Sequence, residues 1–339
     1  MNTLPLSGAV TGIGSLPMAT PESAIQLVTE SSPEIPFWPQ LPRLSEREGA
    51  VGQGLGLLLD LIEPRTEGYG YQVRKGRIDS VIATLHRSSG ELTAENAVGF
   101  GAFEQALAAG AFPSAFAVKG QIEGPITLAA YLFHKDRPFL SDPALFSAVA
   151  FHVSQIICWQ IDRLKRFGLP VLLFVDEPAL CLEVRVPNEV SEEHRLSALE
   201  VMLEGVRVRG ALAGLHCCAA RPFERMFRAN PDILSFDAHE GLEFFFADAQ
   251  ARRHVRAGGA VAYGMVPTWS SLSALDPVAL FTRWLTAASV SGDAQEFAQQ
   301  AMVTATCGLG LLPESSVVDS FHLARGVGKL IGAFASAAA

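Results

Sequence analysis

The sequence predicts an α/β fold, a (β/α)8 TIM barrel with an N-terminal extension and loop insertions, formed as one domain over residues 1–339. Short apolar β runs alternate with longer helical runs, which is the pattern of a parallel sheet. The run 171–175 is entirely apolar, as expected for a parallel strand covered on both faces. A closed barrel also brings distant strand ends to one site, and polar residues recur at such ends: Ser15, Asp176, His216, Asp237 and Cys307. The alternative is an open, doubly wound sheet.

Seven strands can be assigned in chain order, over residues 10–15, 116–122, 171–176, 210–216, 233–237, 260–266 and 302–307. Helices separate them, the first with Thr20 as N-cap and Pro21 at its first position. The later helices are predicted over residues 45–62, 94–109, 125–133, 143–167, 191–207, 222–228, 242–255, 277–289 and 316–335. Residues 33–42 have the composition of a loop rich in proline. An eighth strand would have to lie in the polar segment 63–89.

Composition excludes several classes of function. The formal net charge is -9 and no basic run is present, which argues against a nucleic-acid partner. The first residues lack the pattern of a signal peptide, and no uncharged apolar run reaches the roughly 18 residues of a membrane span. We therefore expect a cytoplasmic protein with no membrane partner. The chain is 49% hydrophobic and only 18% charged, which indicates a large core and is compatible with a homo-oligomer.

The segment Leu215-His216-Cys217-Cys218-Ala219 carries the clearest chemical signal. Side chains two residues apart on a strand point to the same side, so His216 and Cys218 project together and Cys217 points away. An imidazole and a thiolate in this arrangement are half of a tetrahedral zinc site. Cys307, at the end of the last predicted strand, is the expected third ligand.

A carboxylate after the strand at 233–237 is the expected fourth ligand when no substrate is bound. Asp237 is preferred and Glu240 is the alternative. His239 shares the strand parity of Asp237 and is a candidate catalytic or substrate-side group. Two cysteine sulfurs select Zn²⁺ over Mg²⁺ or Ca²⁺. Zinc in such a shell would ionise a bound thiol, so the predicted chemistry is activation of sulfur.

Five segments, taken in chain order, resemble a known family. They are Gly12-Ile13-Gly14-Ser15-Leu16-Pro17, Gly124-Pro125-Ile126-Thr127, Asp176-Glu177-Pro178-Ala179-Leu180, His216-x-Cys218 and Cys307-Gly308-Leu309. Together they resemble the C-terminal catalytic barrel of cobalamin-independent methionine synthase, within the uroporphyrinogen decarboxylase/methionine synthase-like superfamily. The resemblance covers essentially the whole chain and fits the short, single-barrel "core" form.

The resemblance implies a zinc-dependent methyltransferase that converts homocysteine to methionine. By this resemblance His216, Cys218 and Cys307 are zinc ligands, and the glutamate ligand of the family falls on Asp237, a shorter carboxylate. It also implies that Gly14 and Ser15 hold the carboxylate of the amino-acid substrate and that Asp176 holds its ammonium group. The methyl donor is left open between a methylcorrinoid, free or on a carrier protein, and methyltetrahydrofolate, because Tyr263-Gly264-Met265-Val266-Pro267 replaces the late-strand histidine segment of the family.

Two other functions compete with this one. A metal-free decarboxylase of tetrapyrroles, like uroporphyrinogen decarboxylase, would need a pocket lined by arginines, for which the candidates are Arg43, Arg74 and Arg77. A non-catalytic accessory protein of corrinoid methyl transfer would hold zinc as a structural ion, with four permanent ligands and no open position.

Overall fold

Seven parallel strands form the central sheet of the computed structural model, which describes residues 4–181, 190–269, 272–292 and 294–337. Numbered with all other strands in chain order, they are β1 (Ala9–Val10), β4 (Val118–Glu123), β7 (Val171–Asp176), β8 (Leu212–Cys217), β9 (Ile233–Phe236), β10 (Ala260–Val266) and β11 (Ala301–Ala305). Their order across the sheet is β1-β11-β10-β9-β8-β7-β4. Every neighbour pairs in parallel, so all strands end at one edge of a curled sheet.

Strong apolar patterning explains the central strands. Every residue of β7 and of β10 is buried, as expected for parallel strands with other layers on both faces. Register then fixes the site edge, because Glu123 pairs with Asp176, Asp176 pairs with His216, and His216 pairs with Ser235. These four residues form one row across β4, β7, β8 and β9.

Thirteen helices are assigned in the described residues. They are α1 (Pro21–Ser31), α2 (Ala50–Gly54), α3 (Ile78–His86), α4 (Val98–Ala108), α5 (Pro125–Tyr131), α6 (Pro143–Leu164), α7 (Glu192–Val208), α8 (Phe223–Ala229), α9 (Ala238–Ala247), α10 (Ala249–Arg256), α11 (Pro277–Val290), α12 (Ala294–Gln299) and α13 (Glu314–Ser336). Several begin at side-chain caps: Thr20, Asp142 and Asp276 each accept a hydrogen bond from the first turn and precede a proline at the first or second position.

The prediction of a closed barrel of eight strands is wrong in one respect, because the regular sheet is open between β1 and β4. Segment 34–40 crosses that gap through two isolated parallel bridges, Phe37 with Lys119 and Ser15 with Gln40. Its backbone bonds β4 on one side and the chain after β1 on the other, for example from Lys119 N to Pro36 O at 2.9 Å and from Leu16 N to Gln40 O at 2.9 Å. The result is a barrel-like fold with an irregular segment in the eighth place.

The sequence suggested that an eighth barrel strand could lie in segment 63–89. The structure does not place it there. Two short strands found there, β2 (Ile62–Pro64) and β3 (Tyr71–Val73), join β5 (Leu132–His134) and β6 (Arg137–Pro138) in a separate four-stranded sheet. The prediction of an N-terminal extension is also wrong for the described residues, because β1 already joins the central sheet at Ala9. The additional length lies in insertions, as the second sheet shows.

One helical stretch, Pro143–Phe167, has the length and apolarity of a membrane span. In this fold it packs against the sheet and its buried face explains its composition. His152, in its middle, has both ring nitrogens paired, Nδ1 with Ser88 Oγ at 2.7 Å and Nε2 with Gly54 O at 2.8 Å. These observations are those of a core helix.

Candidate metal and thiol site

Three potential metal ligands meet at the carboxyl ends of the central strands. One ligand atom each of His216, Cys218 and Cys307 lies within 4.8 Å of the other two. His216 lies near the end of β8, Cys218 directly follows that strand, and Cys307 comes two residues after β11. Cys217 is fully buried in the core, as the alternation along a strand requires. The structure thus brings together residues that are far apart in the chain.

His216 is held in one orientation by its neighbour in the sheet. Its Nδ1 lies 2.9 Å from Ser235 Oγ, and Ser235 is fully buried. The other ring nitrogen, Nε2, is buried and has no hydrogen-bond partner among the described residues. A buried polar atom without a partner lowers the stability of the fold. A metal ion could be that partner, because a neutral imidazole nitrogen donates its lone pair to metals. When Nε2 binds a metal, Nδ1 carries the proton and donates it to Ser235 Oγ.

The two thiols behave as a pair that shares one proton. A hydrogen bond from Cys218, aided by His216, lowers the pKa of Cys307 to about 4, even though burial opposes this shift. The same hydrogen bond and burial raise the pKa of Cys218. Ionisation is therefore easier at Cys307 than at Cys218, and a bound cation would favour ionisation of both. Two sulfurs and one imidazole nitrogen are a donor set that fits Zn²⁺.

Two carboxyl groups lie in the same row as His216. Burial raises the pKa of Asp176 to about 6, although His216 and Lys119 act in the opposite direction. Burial, followed by the charges of Asp176, Glu177 and Cys307, raises the pKa of Glu123 well above its usual value. Asp176 Oδ1 is buried and unpaired among the described residues, so it is available to a ligand with a positive charge.

The remaining buried charges have partners in the fold. Glu177 accepts hydrogen bonds from Ile126 N at 2.9 Å and from Thr127 N at 2.9 Å. Its carboxylate therefore caps the start of α5. Lys119 donates from Nζ to Ile13 O at 2.6 Å and to Gln121 Oε1 at 2.9 Å. Burial lowers the pKa of Lys119 to about 8, against the attraction of Asp176. Lys119 thus fixes the turn that precedes Gly14 and Ser15.

These side chains open into a cavity of about 450 Å³. Its wall includes Ser15, Glu46, Tyr71, Glu123, Asp176, His216, Cys218 and Cys307. Tyr71 comes from β3, so the second sheet contributes to the wall of the cavity. Ser15 contacts the loop after Cys307, with Gly310 N donating to Ser15 Oγ at 3.4 Å and Leu309 N donating to Ser15 O at 2.9 Å. Gly14 packs against Gln40 and Gln121, where a Cβ atom would meet a side-chain atom at about 3 Å.

The predicted fourth ligand and its neighbours lie outside this group. Asp237 is the N-cap of α9 and accepts a hydrogen bond from Glu240 N at 3.0 Å. The side chain of Glu240 is exposed. His239 packs edge-on against Trp269, with ring centroids 5.7 Å apart, and its Nδ1 is unpaired among the described residues. The roles assigned to Asp237, Glu240 and His239 stay predictions.

The arginines that a decarboxylase pocket would need lie elsewhere. No arginine or lysine is among the described residues that line the cavity. Arg43 donates to Leu312 O at 2.8 Å, and Arg74 forms an ion pair with Glu63 at 2.9 Å. The described lining residues therefore offer carboxylates and sulfur, and none of them is a cationic group that would bind the carboxylates of a tetrapyrrole.

Sequence reasoning missed Glu123 and Lys119. Residues 123–125 read as the turn after a strand, which hid the fact that Glu123 is the last residue of β4 and points to the site edge. The available signal was its strand-end position, which it shares with Asp176. Lys119 lies in β4, every residue of which is buried, and a lysine in such a strand is itself evidence of a buried polar network.

Comparisons with known proteins support the fold. No protein-family model matches the chain, and no curated protein matches its sequence. Among solved structures it is similar to a B12-independent methionine synthase from Shewanella sp. W3-18-1 in complex with selenomethionine, with a TM-score of 0.58, 13% identity, and coverage of 97% of this chain and 98% of that chain. A GH113 β-1,4-mannanase, with a TM-score of 0.31, 8% identity and coverage of 69% and 92%, carries no argument. The chain thus shares its fold with the methionine synthase.

Proposed function

We propose that this protein is a zinc-dependent S-methyltransferase whose acceptor is a small thiol, homocysteine first of all, and whose product is methionine. The observation that carries the proposal is the convergence of His216, Cys218 and Cys307 within 4.8 Å in a cavity at the strand ends. The shared fold with a methionine synthase supports it. Cytoplasmic localisation, absence of a nucleic-acid partner and self-association belong to the same proposal.

In this proposal His216, Cys218 and Cys307 would hold Zn²⁺. When bound, the metal supplies a Lewis acid that lowers the pKa of a thiol substrate and keeps it nucleophilic at neutral pH. Ser235 holds Nδ1 of His216, which leaves the buried Nε2 as the ring nitrogen that would bind the metal. The hydrogen bond between the two thiols would be lost when both ionise. A bound cation would then take the place of the proton between the two sulfurs.

The amino-acid part of the acceptor would be bound by groups that lie beside the three ligands in the same cavity. The unpaired, buried Oδ1 of Asp176 would accept a hydrogen bond from the ammonium group. Ser15 and the backbone at Gly14 would donate to the carboxylate, in a turn held by Lys119 through Ile13 O. This arrangement orients the acceptor with its sulfur toward the thiol pair, and such positioning supplies much of the rate enhancement in a displacement reaction.

In the methyl transfer, the acceptor sulfur, after losing its proton, would form a bond to the methyl carbon while the bond from that carbon to its carrier breaks. The carrier would keep the bonding electron pair, as Co(I) for a corrinoid, or as an amine nitrogen that takes up one proton for the folate. The carrier is a methylcorrinoid, free or on a carrier protein, or methyltetrahydrofolate. The pair of His239 and Trp269 is a candidate contact for the donor, since Trp269 is 60% exposed. His239 is the proposed donor-side catalytic group.

The test is methionine formation from homocysteine, assayed separately with methylcobalamin and with methyltetrahydrofolate. Zinc removal by a chelator is expected to abolish turnover, and added zinc should restore it. Cys307→Ser should lose activity, whereas Cys158→Ser, a substitution of a thiol outside the group, should keep it. Turnover that survives both chelation and Cys307→Ser would overturn the mechanism.

X-ray absorption at the zinc edge separates catalysis from a structural role. Homocysteine should add one sulfur to the two supplied by Cys218 and Cys307. An unchanged zinc spectrum in saturating homocysteine would instead favour the non-catalytic accessory protein.

A further inference from the structure

We infer that Glu123 supplies the oxygen ligand that completes the metal site of this chain, in place of Asp237. The inference rests on the proposed zinc site and names the residue that finishes its coordination. The resemblance of the sequence to methionine synthases implies that Asp237 is the oxygen ligand. The structure favours a carboxylate on a different strand.

The first support is position. Glu123 ends β4, pairs in register with Asp176, and through Asp176 lies two strands from His216. It is only 6% exposed, and it lines the same cavity as Cys218 and Cys307. The lining residues of this cavity do not include Asp237.

The second support is electrostatic proximity. The charge of Cys307 contributes to the raised pKa of Glu123, and the charge of Glu123 contributes to the raised pKa of Cys218. The pKa of Asp237 is governed by its burial and by its neighbours in α9, Glu240 and His239. Of the two carboxyl groups, Glu123 is therefore the one whose charge interacts with the charges of the sulfurs.

The third support is that no described side-chain hydrogen bond would have to break for Glu123 to bind a metal. Neither carboxylate is part of the group whose ligand atoms lie within 4.8 Å of one another, so either side chain would have to rotate to bind a shared metal. Among the described residues, no side-chain hydrogen bond holds the Glu123 carboxylate. Asp237 would have to release Glu240 N and leave the first turn of α9 uncapped.

The fourth support is charge. A buried carboxylate normally has a cationic partner or a metal. Lys119, the buried cation beside this row, is attracted by Asp176 and bonded to Ile13 O and Gln121. Among the described residues Glu123 forms no ion pair, and a divalent metal held by the two thiolates and His216 would provide the positive charge.

The experiment measures zinc affinity of the metal-free protein by competition with a chromophoric chelator. Glu123→Gln should weaken zinc binding by about 10–100-fold, the range for lost support of a metal site. Asp237→Asn, which keeps a good N-cap, should leave zinc affinity unchanged. Glu46→Gln is the matched control, because it removes an exposed carboxylate from the wall of the same cavity.

Visible absorption of the Co²⁺-substituted protein provides a readout independent of affinity and of activity. Glu123→Gln should change the ligand-field bands, while Asp237→Asn should reproduce the wild-type spectrum. Glu123→Asp, which keeps the charge but shortens the side chain, should also weaken zinc binding and guards against a folding defect of the amide variant.

Wild-type zinc affinity in Glu123→Gln together with weakened binding in Asp237→Asn would overturn the inference. The proposed function fails separately, if Cys307→Ser binds zinc as tightly as the wild type. Loss of zinc in Cys307→Ser with full retention in Glu123→Gln would leave the proposed function standing and refute the role of Glu123 alone.

Discussion

Replacing Ser235 with alanine tests whether the imidazole of His216 is preorganised for a metal. Ser235 is fully buried, and its Oγ lies 2.9 Å from His216 Nδ1. The substitution removes the hydrogen bond that holds Nδ1 of the ring. In metal sites such a bond fixes both the tautomer and the ring orientation of the ligand.

Two magnitudes follow from this contact. Loss of a hydrogen bond that orients a histidine ligand costs about 10–100-fold in metal affinity, or about 1.4–2.8 kcal/mol of binding free energy. The metal-free protein should also lose about 1–3 kcal/mol of unfolding free energy, because Nδ1 is left buried without a partner. The second effect would arise at any buried serine, and only the first is specific to a metal site.

The control is Ser141→Ala, since Ser141 is also buried and donates to Pro138 O at 2.8 Å, in an insertion remote in sequence from the ligands. Zinc affinity by chelator competition and unfolding by urea should be measured for both variants. Ser235→Ala should weaken zinc binding and destabilise the fold, whereas Ser141→Ala should only destabilise it. Equal zinc affinity in the two variants would refute the reasoning that Ser235 orients His216.

Three further predictions concern other contacts. Asp237→Ala should lower the unfolding free energy by about 1 kcal/mol through loss of the α9 cap, and Asp237→Asn should restore it, as thermal unfolding of the two variants will show. Burial lowers the pKa of His152 to about 4, below its value in the unfolded chain, so its contribution is complete above about pH 6.5 and is lost as the pH falls toward about 4. The fall in unfolding free energy between neutral and acidic pH should therefore be smaller in His152→Gln than in the wild type by roughly 3 kcal/mol. The same fall in both proteins, measured by urea unfolding, would contradict this. Ser15→Ala should raise KM for homocysteine by about tenfold with a smaller effect on kcat, in steady-state assays, because a hydrogen bond to a charged group contributes about 1.5–3 kcal/mol.

The central strands could be predicted from sequence because burial on both faces leaves continuous apolar runs. Residues 171–176 and 260–266 were predicted with the bounds observed for β7 and β10. The eighth place could not be predicted in this way. Its occupant, segment 34–40, contains Pro36 and Pro39, which cannot donate to a ladder, so it pairs through isolated bridges instead of as a regular strand.

The site was predictable where strand alternation alone decides geometry. His216 and Cys218 lie on one side of β8 for this reason, and the parallel topology brings the end of β11 to the same edge. The carboxylates were harder to assign, because their availability depends on tertiary hydrogen bonds. The strand-end position of Asp237 suggested a ligand, but the side chain is engaged with the backbone of its own helix.

The charges of the described cavity wall bear on the two enzyme classes that the sequence left open. Glu123, Asp176 and the thiol pair place acidic groups on its wall, and no arginine or lysine is among the described lining residues. Such a wall attracts cations and repels a substrate with several carboxylates, since unit charges about 4 Å apart interact by several kcal/mol near a protein surface. A divalent metal beside the sulfurs and an ammonium group beside Asp176 would satisfy this wall. A zwitterionic amino-acid thiol carries its ammonium group and its sulfur on one short chain, which is why we propose this substrate class for the cavity.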